Sequence, residues 1–208
     1  MLRPRDRTDD IVVPSSGRRA IVPDRRGDRR IHTVMRVAKV TRDKDVGLWR
    51  VRNISDSGMM LATQIPVSPG ERLTVALSEQ IVLEARAIWW DGAFCGLVFD
   101  RPIDCAALLH ALVAEQRAPR YRPPRLPVSA RAIVYCEKGL HTVRLFNLSQ
   151  HGAGFSHDGC FQTGMATKLL FENGDEHRGV VRWSRAGAAG MYLTEPFPCA
   201  QLESAARL

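Results

Sequence analysis

Arg26 and Arg30, four positions apart, and a later run Asn53-Ile-Ser55-Asp-Ser-Gly58 carry the side chains best suited to holding an anionic ligand with acceptor-rich edges. A guanidinium presents two parallel donors to a phosphate or to the O6/N7 edge of a guanine, and its plane stacks on a purine face. Lysine, a point charge, does this poorly. The Asn53 amide offers a donor and an acceptor, the Ser55 hydroxyl a further polar contact, and Gly58 allows backbone N–H groups to approach closely. Arg25 and Arg29 form a second pair at the same spacing. Asn-x-Ser-x-x-Gly is also an ordinary turn composition, in which Asn and Ser bond their own backbone.

The elements that must position these residues are duplicated. Asn53, Ser55, Gly58, Gly70, Trp89, Gly96, Pro102, Cys105 and Leu108 recur 94 residues later as Asn147, Ser149, Gly152, Gly164, Trp183, Gly190, Pro196, Cys199 and Leu202. Such self-similarity marks a repeat architecture. Upstream the offset becomes 95, pairing Arg30 with Arg125 and Arg36 with Arg131, as a one-residue change in a hairpin loop would produce. Arg30 is preferred over Arg29 for this reason. The second copy keeps Asn147, Ser149 and Gly152 but has Tyr121 four positions before Arg125, leaving Arg122 or Arg120 as shifted substitutes. Pro123 and Pro124 stiffen that approach. The second site, with Arg122, Arg125, Asn147, Ser149 and Gly152, is therefore expected to be degenerate, binding weakly or not at all, and Tyr121 stacking on a base is the lesser reading.

Six short runs in the first copy read as strands: Thr33 to Val40, Leu48 to Ile54, Met59 to Thr63, Leu73 to Leu77, Ile81 to Trp90 and Phe94 to Phe99. Ser57-Gly58, Pro69-Gly70 and Asp91-Gly92 punctuate them, Asp91-Gly92 as a two-residue hairpin turn, and Gly187 to Gly190 reads as a hairpin loop in the second copy. Six strands at this spacing favour a small closed barrel, which leaves no exposed edge. Pro102 then precedes Cys105, Leu108, Leu109 and Leu112, the apolar stripe of an amphipathic helix. Its counterpart over Phe197 to Leu208 is shorter and less apolar, a weaker helix prone to fraying.

The RxxxR segment, the [D/N]xSxxG turn and the Gly96 to Phe99 strand, GLVF, together resemble the PilZ domain family, bacterial β-barrels that sense cyclic di-GMP. The resemblance implies a mainly all-β chain: two consecutive six-stranded antiparallel barrels, each followed by a C-terminal α-helix, behind a disordered tail. The expected organisation is a basic tail over 1–23, a first domain over 24–117 with both motifs intact, and a second over 118–208, with the boundary near Arg117 to Arg120. It implies a cyclic di-GMP effector whose site is Arg25, Arg26, Arg30, Asn53, Ser55 and Gly58, and a protein partner of unknown identity.

The chain has 208 residues and a net charge of +8, and residues 1 to 30 hold nine arginines against five acids, so half of the excess lies in that stretch. Residues 1 to 23 lack apolar periodicity, and Arg3 through Arg19 read as a solubilising leader or weak anion binder. No run approaches a membrane span and no secretory apolar segment follows the N-terminal arginines, so a cytoplasmic protein without membrane insertion is expected. Five cysteines without a CxxC pair argue against a disulfide framework or zinc ribbon. His151, His157 and Cys160 lie near one another in sequence, but their spacing matches no common metal site and lacks a fourth ligand, so neither metal nor cofactor is expected. No phosphate loop, GxGxxG turn or GxSxG elbow is present, which argues against an enzyme. Two alternatives stand beside the sensor: an adaptor that binds no ligand, and a basic nucleic-acid-binding barrel, disfavoured by an aromatic content of 7%.

Overall fold

The computed structural model describes residues 31–119 and 121–208, the first five by backbone alone. The tail over 1–23 and Arg25, Arg26, Arg30 and Arg120 lie outside the described residues.

Each copy closes into a six-stranded antiparallel barrel. The first runs β1 (Ile31–Thr41), β2 (Val46–Ile54), β3 (Gly58–Ala62), β4 (Arg72–Ala76), β5 (Val82–Trp90) and β6 (Phe94–Phe99), with spatial order β1-β2-β3-β6-β5-β4. The helix α1 (Cys105–Arg117) follows. The second runs β7 (Leu126–Cys136), β8 (Gly139–Ser149), β9 (Gly152–Ser156), β10 (Ala166–Phe171), β11 (Glu176–Arg185) and β12 (Ala188–Leu193), in the equivalent order. No helix among the described residues is long and apolar enough to cross a membrane.

Alternation builds the two cores, since every second side chain of a strand faces inward. Ala38, Val40, Trp49, Val51, Leu61 and Leu73 fill the first barrel. Leu126, Val134, Leu145, Phe155, Leu169 and Val181 fill the second. In α1 the stripe Cys105, Leu108, Leu109, Leu112 packs on the first core, and the Asp104 carboxylate caps the helix by accepting from the Ala107 N–H at 2.9 Å.

Several repeated residues owe their identity to close approach. Trp89 pairs with Gly96 across β5 and β6, and Trp183 with Gly190 across β11 and β12. A Cβ on Gly96 or Gly190 would stand 2.2 or 2.1 Å from the indole Nε1. Each tryptophan thus lies over a strand position where only hydrogen fits.

Five expectations are corrected. The offset change does not lie in a hairpin loop: Thr41 faces Val46 and Tyr135 faces Leu140, giving connections of equal length. It lies in a β-bulge, where residues 33–35 oppose Arg52 in the first barrel but only 128–129 oppose Phe146 in the second. Arg36 therefore corresponds to Ala130 rather than Arg131, whereas the backbone upstream of the bulge, Ile31 facing Ile54 and Leu126 facing Leu148, keeps the offset that pairs Arg30 with Arg125. The loop read at Gly187 to Gly190 is a turn at Ala186 and Gly187, both at positive φ (48° and 72°), with Ala188 to Gly190 already in β12. The Asp91-Gly92 turn has a third residue, Ala93, and the Asp91 carboxylate accepts from Ala93 N and Phe94 N at 3.0 and 2.7 Å.

The last correction concerns the C-terminus. In place of an α-helix the second barrel is followed by two 3-10 turns, Cys199–Leu202 and Ala205–Arg207. They do not splay away: Leu202 is fully buried, and Glu203 between them is inserted against the first barrel. The Glu203 carbonyl accepts from Trp49 Nε1 at 2.8 Å, and its carboxylate accepts from Gln64 N at 2.7 Å and Thr63 Oγ1 at 3.2 Å. At Leu48 and Trp49 strand β2 is buried on both faces, Trp49 in the first core and Leu48 in the second. Gly47 completes the contact, because a Cβ there would stand 1.9 Å from the Glu203 carbonyl oxygen.

Glu203→Ala removes the acceptor of two enclosed donors, so urea unfolding is expected to show a loss of about 3 kcal/mol. Gly47→Ala is expected to lose about 1 to 3 kcal/mol by overpacking the same contact.

Candidate functional site

The polar turn between β2 and β3 has the same construction in both barrels. Ser55 donates through its N–H at 2.8 Å and its hydroxyl at 3.2 Å to the Gly58 carbonyl, and the Ser149 hydroxyl donates to the Gly152 carbonyl at 3.3 Å. Phe99 N–H bonds the Ser57 carbonyl and Leu193 N–H the His151 carbonyl, each at 2.9 Å, tying the turn to the last strand. Asn53 and Ser55 are buried. The backbone bonding weighed for Asn and Ser from sequence is thus observed for both serines.

Gly58 serves the barrel rather than a left-handed turn. Its φ lies outside the positive region, and a Cβ would stand 2.2 Å from the Leu97 carbonyl oxygen. The same approach recurs at Gly152, 2.8 Å from the Met191 carbonyl. Glycine at these positions lets the turn lie flat on the neighbouring strand.

The second barrel shows where an arginine preceding the barrel stands relative to the turn. Arg125, immediately before β7, donates through Nη1 to Asn147 Oδ1 at 3.0 Å, across 22 positions of sequence. Arg125, Arg122 and Asn147 border a cavity of about 250 Å³ whose opposite wall is the first barrel's Lys39, Ser78 and Glu79. It adjoins a shallower groove of about 690 Å³ that shares Glu79 and Arg122 and includes Tyr121 and Glu115. Three cations thus face one carboxylate in the cavity. Burial pushes the Arg125 guanidinium below the ordinary arginine value, the like charge of Arg122 adds to this, and Glu79 opposes it. An anion entering here would relieve that strain of like charges.

Of the residues singled out from sequence, the fold brings Arg122, Arg125 and Asn147 to one cavity, with Tyr121 beside it. Ser149 and Gly152 belong to the turn behind it. Asn53, Ser55 and Gly58 occupy the matching positions of the first barrel, whose Arg25, Arg26 and Arg30 lie outside the described residues. Lys39, Ser78 and Glu79 were not anticipated, since they reach the cavity only because the barrels dock. A further cavity of about 450 Å³, lined by Phe171, His177, Phe197 and Gln201 on another side of the second barrel, includes none of the candidate residues.

Comparison with known proteins places these observations. The model of the PilZ domain matches residues 24–115 and again 116–195. Among solved structures the chain is similar to the Borreliella burgdorferi PlzA protein in complex with c-di-GMP, at 12% identity over 80% of this chain and 87% of that one, with a TM-score of 0.34. It is also similar to the Bacillus subtilis inhibitor of motility MotI/DgrA, at 12% identity over 77% of this chain and 87% of that one, TM-score 0.29. The K. pneumonia MrkH–c-di-GMP complex is similar at 11% identity over 78% of each chain, TM-score 0.30. No curated protein matches the chain.

Because Gly58 is fixed by the Leu97 carbonyl, Gly58→Ala is expected to lower stability by about 1 to 3 kcal/mol in urea unfolding. Loss of ligand binding without that destabilisation would assign Gly58 a direct role in contact instead.

Proposed function

Starting from a chain that belongs to the PilZ domain family through two consecutive copies, we propose that it is a cyclic di-GMP-binding effector acting in the cytoplasm. Its principal site is formed on the first barrel by Arg26 and Arg30, with Arg25 beside them, together with Asn53, Ser55 and Gly58. The observation that carries this reading is the Arg125–Asn147 hydrogen bond. The duplication pairs Arg30 with Arg125 and Asn53 with Asn147, and the register on either side of the bulge keeps that pairing. Arg30 is accordingly assigned the place beside Asn53 that Arg125 takes beside Asn147, with Arg26 supplying the second guanidinium that the second copy lacks.

The chemistry follows from the ligand's two phosphodiester charges and two guanines. Each arginine bonds a phosphate or guanine edge through parallel donors, and Asn53 contributes its amide. The Ser55 hydrogen is engaged by the Gly58 carbonyl, so its oxygen acts toward a ligand as an acceptor. Each charge-assisted bond contributes roughly 1.5 to 3 kcal/mol, and stacking on guanine adds to them. The liganded face presents a new surface, and a protein partner that binds only this state shifts the population toward it. The effector has no catalytic step.

A second reading, an adaptor that binds no nucleotide, is favoured by one observation: the serine bonds close within each turn, so the motif serves the barrel even without ligand.

Calorimetric titration of the full chain with cyclic di-GMP is expected to show a tight site. Arg30→Ala weakens it by about 100-fold, the equivalent of two lost charge-assisted bonds less their entropy. Asn147→Ala leaves it within about threefold. Equal loss in both variants would move the site to the groove between the barrels, and no heat with the unaltered chain would leave the adaptor.

A further inference from the structure

We propose that His141, Asp158 and Cys160 form a zinc(II) site at the end of the second barrel remote from Asn147. His141 stands near the start of β8 and Asn147 near its end, six positions or roughly 20 Å along the strand. The site is therefore independent of the dinucleotide reading, and either stands without the other.

Cys160 Sγ lies 3.4 Å and Asp158 Oδ2 3.9 Å from His141 Nδ1, and the three ligand atoms all fall within 4.8 Å of one another. Zinc bonds of about 2.0 to 2.3 Å in a tetrahedron set ligand atoms roughly 3.3 to 3.8 Å apart, close to these separations. A nucleophilic Cys–His–Asp relay is a different arrangement, because its carboxylate bonds the ring nitrogen opposite the thiol. Here thiol and carboxylate face the same nitrogen, and His141 Nε2 is buried without a partner. A divalent cation at the common point balances one carboxylate and one thiolate.

The surroundings hold the three groups in place. The His141 ring packs edge-on against Phe161 at 5.4 Å. The Cys160 N–H donates to Asp158 Oδ1 at 3.3 Å, which leaves Oδ2 toward the ring, and the Cys160 carbonyl accepts from Lys138 Nζ at 3.2 Å. Asp158 is exposed and the loop opens to solvent, so water completes the tetrahedron. Because ligating histidines ordinarily donate their second N–H to an acceptor, the bare Nε2 sets the affinity below that of a fully supported zinc site. The sequence spacing around Cys160 does not show the site, since His141 arrives from the preceding hairpin.

The test is calorimetric titration of the untagged, metal-free full chain with zinc sulfate in two buffers of different ionisation enthalpy. One ion per chain is expected, with about one proton released to buffer as the thiol ionises. Cobalt(II) should give a thiolate charge-transfer band that Cys160→Ser abolishes. Cys160→Ser and His141→Gln each weaken zinc by at least about tenfold, while His151→Gln leaves it unchanged. Asp158→Asn, on an exposed side chain, carries the same expectation should either of the first two variants fail to fold by circular dichroism. No zinc heat with the unaltered chain, or binding equally strong in the folded variants, overturns the site.

Discussion

The insertion of Glu203 against the first barrel is the contact on which the arrangement of this molecule depends. Its carbonyl takes the Trp49 indole N–H, and its carboxylate takes the Gln64 N–H and the Thr63 hydroxyl. A buried carboxylate is tolerated only when its lone pairs find donors, and here the donors come from the other barrel. The charge therefore specifies one docked geometry, whereas apolar packing of Leu48 into the second core supplies the less directional attraction. Gly47 admits the approach by having no side chain to obstruct it.

The groove follows from that docking. Lys39, Ser78 and Glu79 belong to the first barrel and face Arg122, Arg125 and Asn147 of the second, so the cavity has two walls only while the barrels remain together. Burial of Arg125 beside Arg122 is a consequence of the same contact. A ligand or partner that changed the docking would thus alter the electrostatics of the groove without touching it directly, since fewer desolvated cations would face one another.

Duplication has preserved the packing constraints more faithfully than the polar chemistry. Trp89 over Gly96 and Trp183 over Gly190 repeat the same steric fit, as do Gly58 and Gly152 against their carbonyls. These positions offer no tolerance for a Cβ, so both copies keep them. Arg26, by contrast, has Tyr121 as its counterpart in the second copy. The C-termini diverged as well: one copy ends in an α-helix on its own barrel, the other in short turns shared between barrels.

The barrels, the duplication and the apolar stripe of α1 were all legible in the sequence, because alternation, turn residues and repeat offsets are local or one-dimensional properties. The bulge was not: moving one residue inside a strand leaves the composition of that strand unchanged, and only the register of Arg36 against Val51 and Ala130 against Leu145 reveals it. Nor was the reason for Gly58, which lies in a carbonyl on another strand. Glu203, Lys39 and His141 carry no periodic signature, since polar residues on outward faces acquire partners only from chain segments that tertiary packing brings alongside. By itself the sequence determined two barrels and the residues repeated in each; the tertiary structure decided which outward faces meet, because that choice rests on directional bonds between groups up to 161 positions apart.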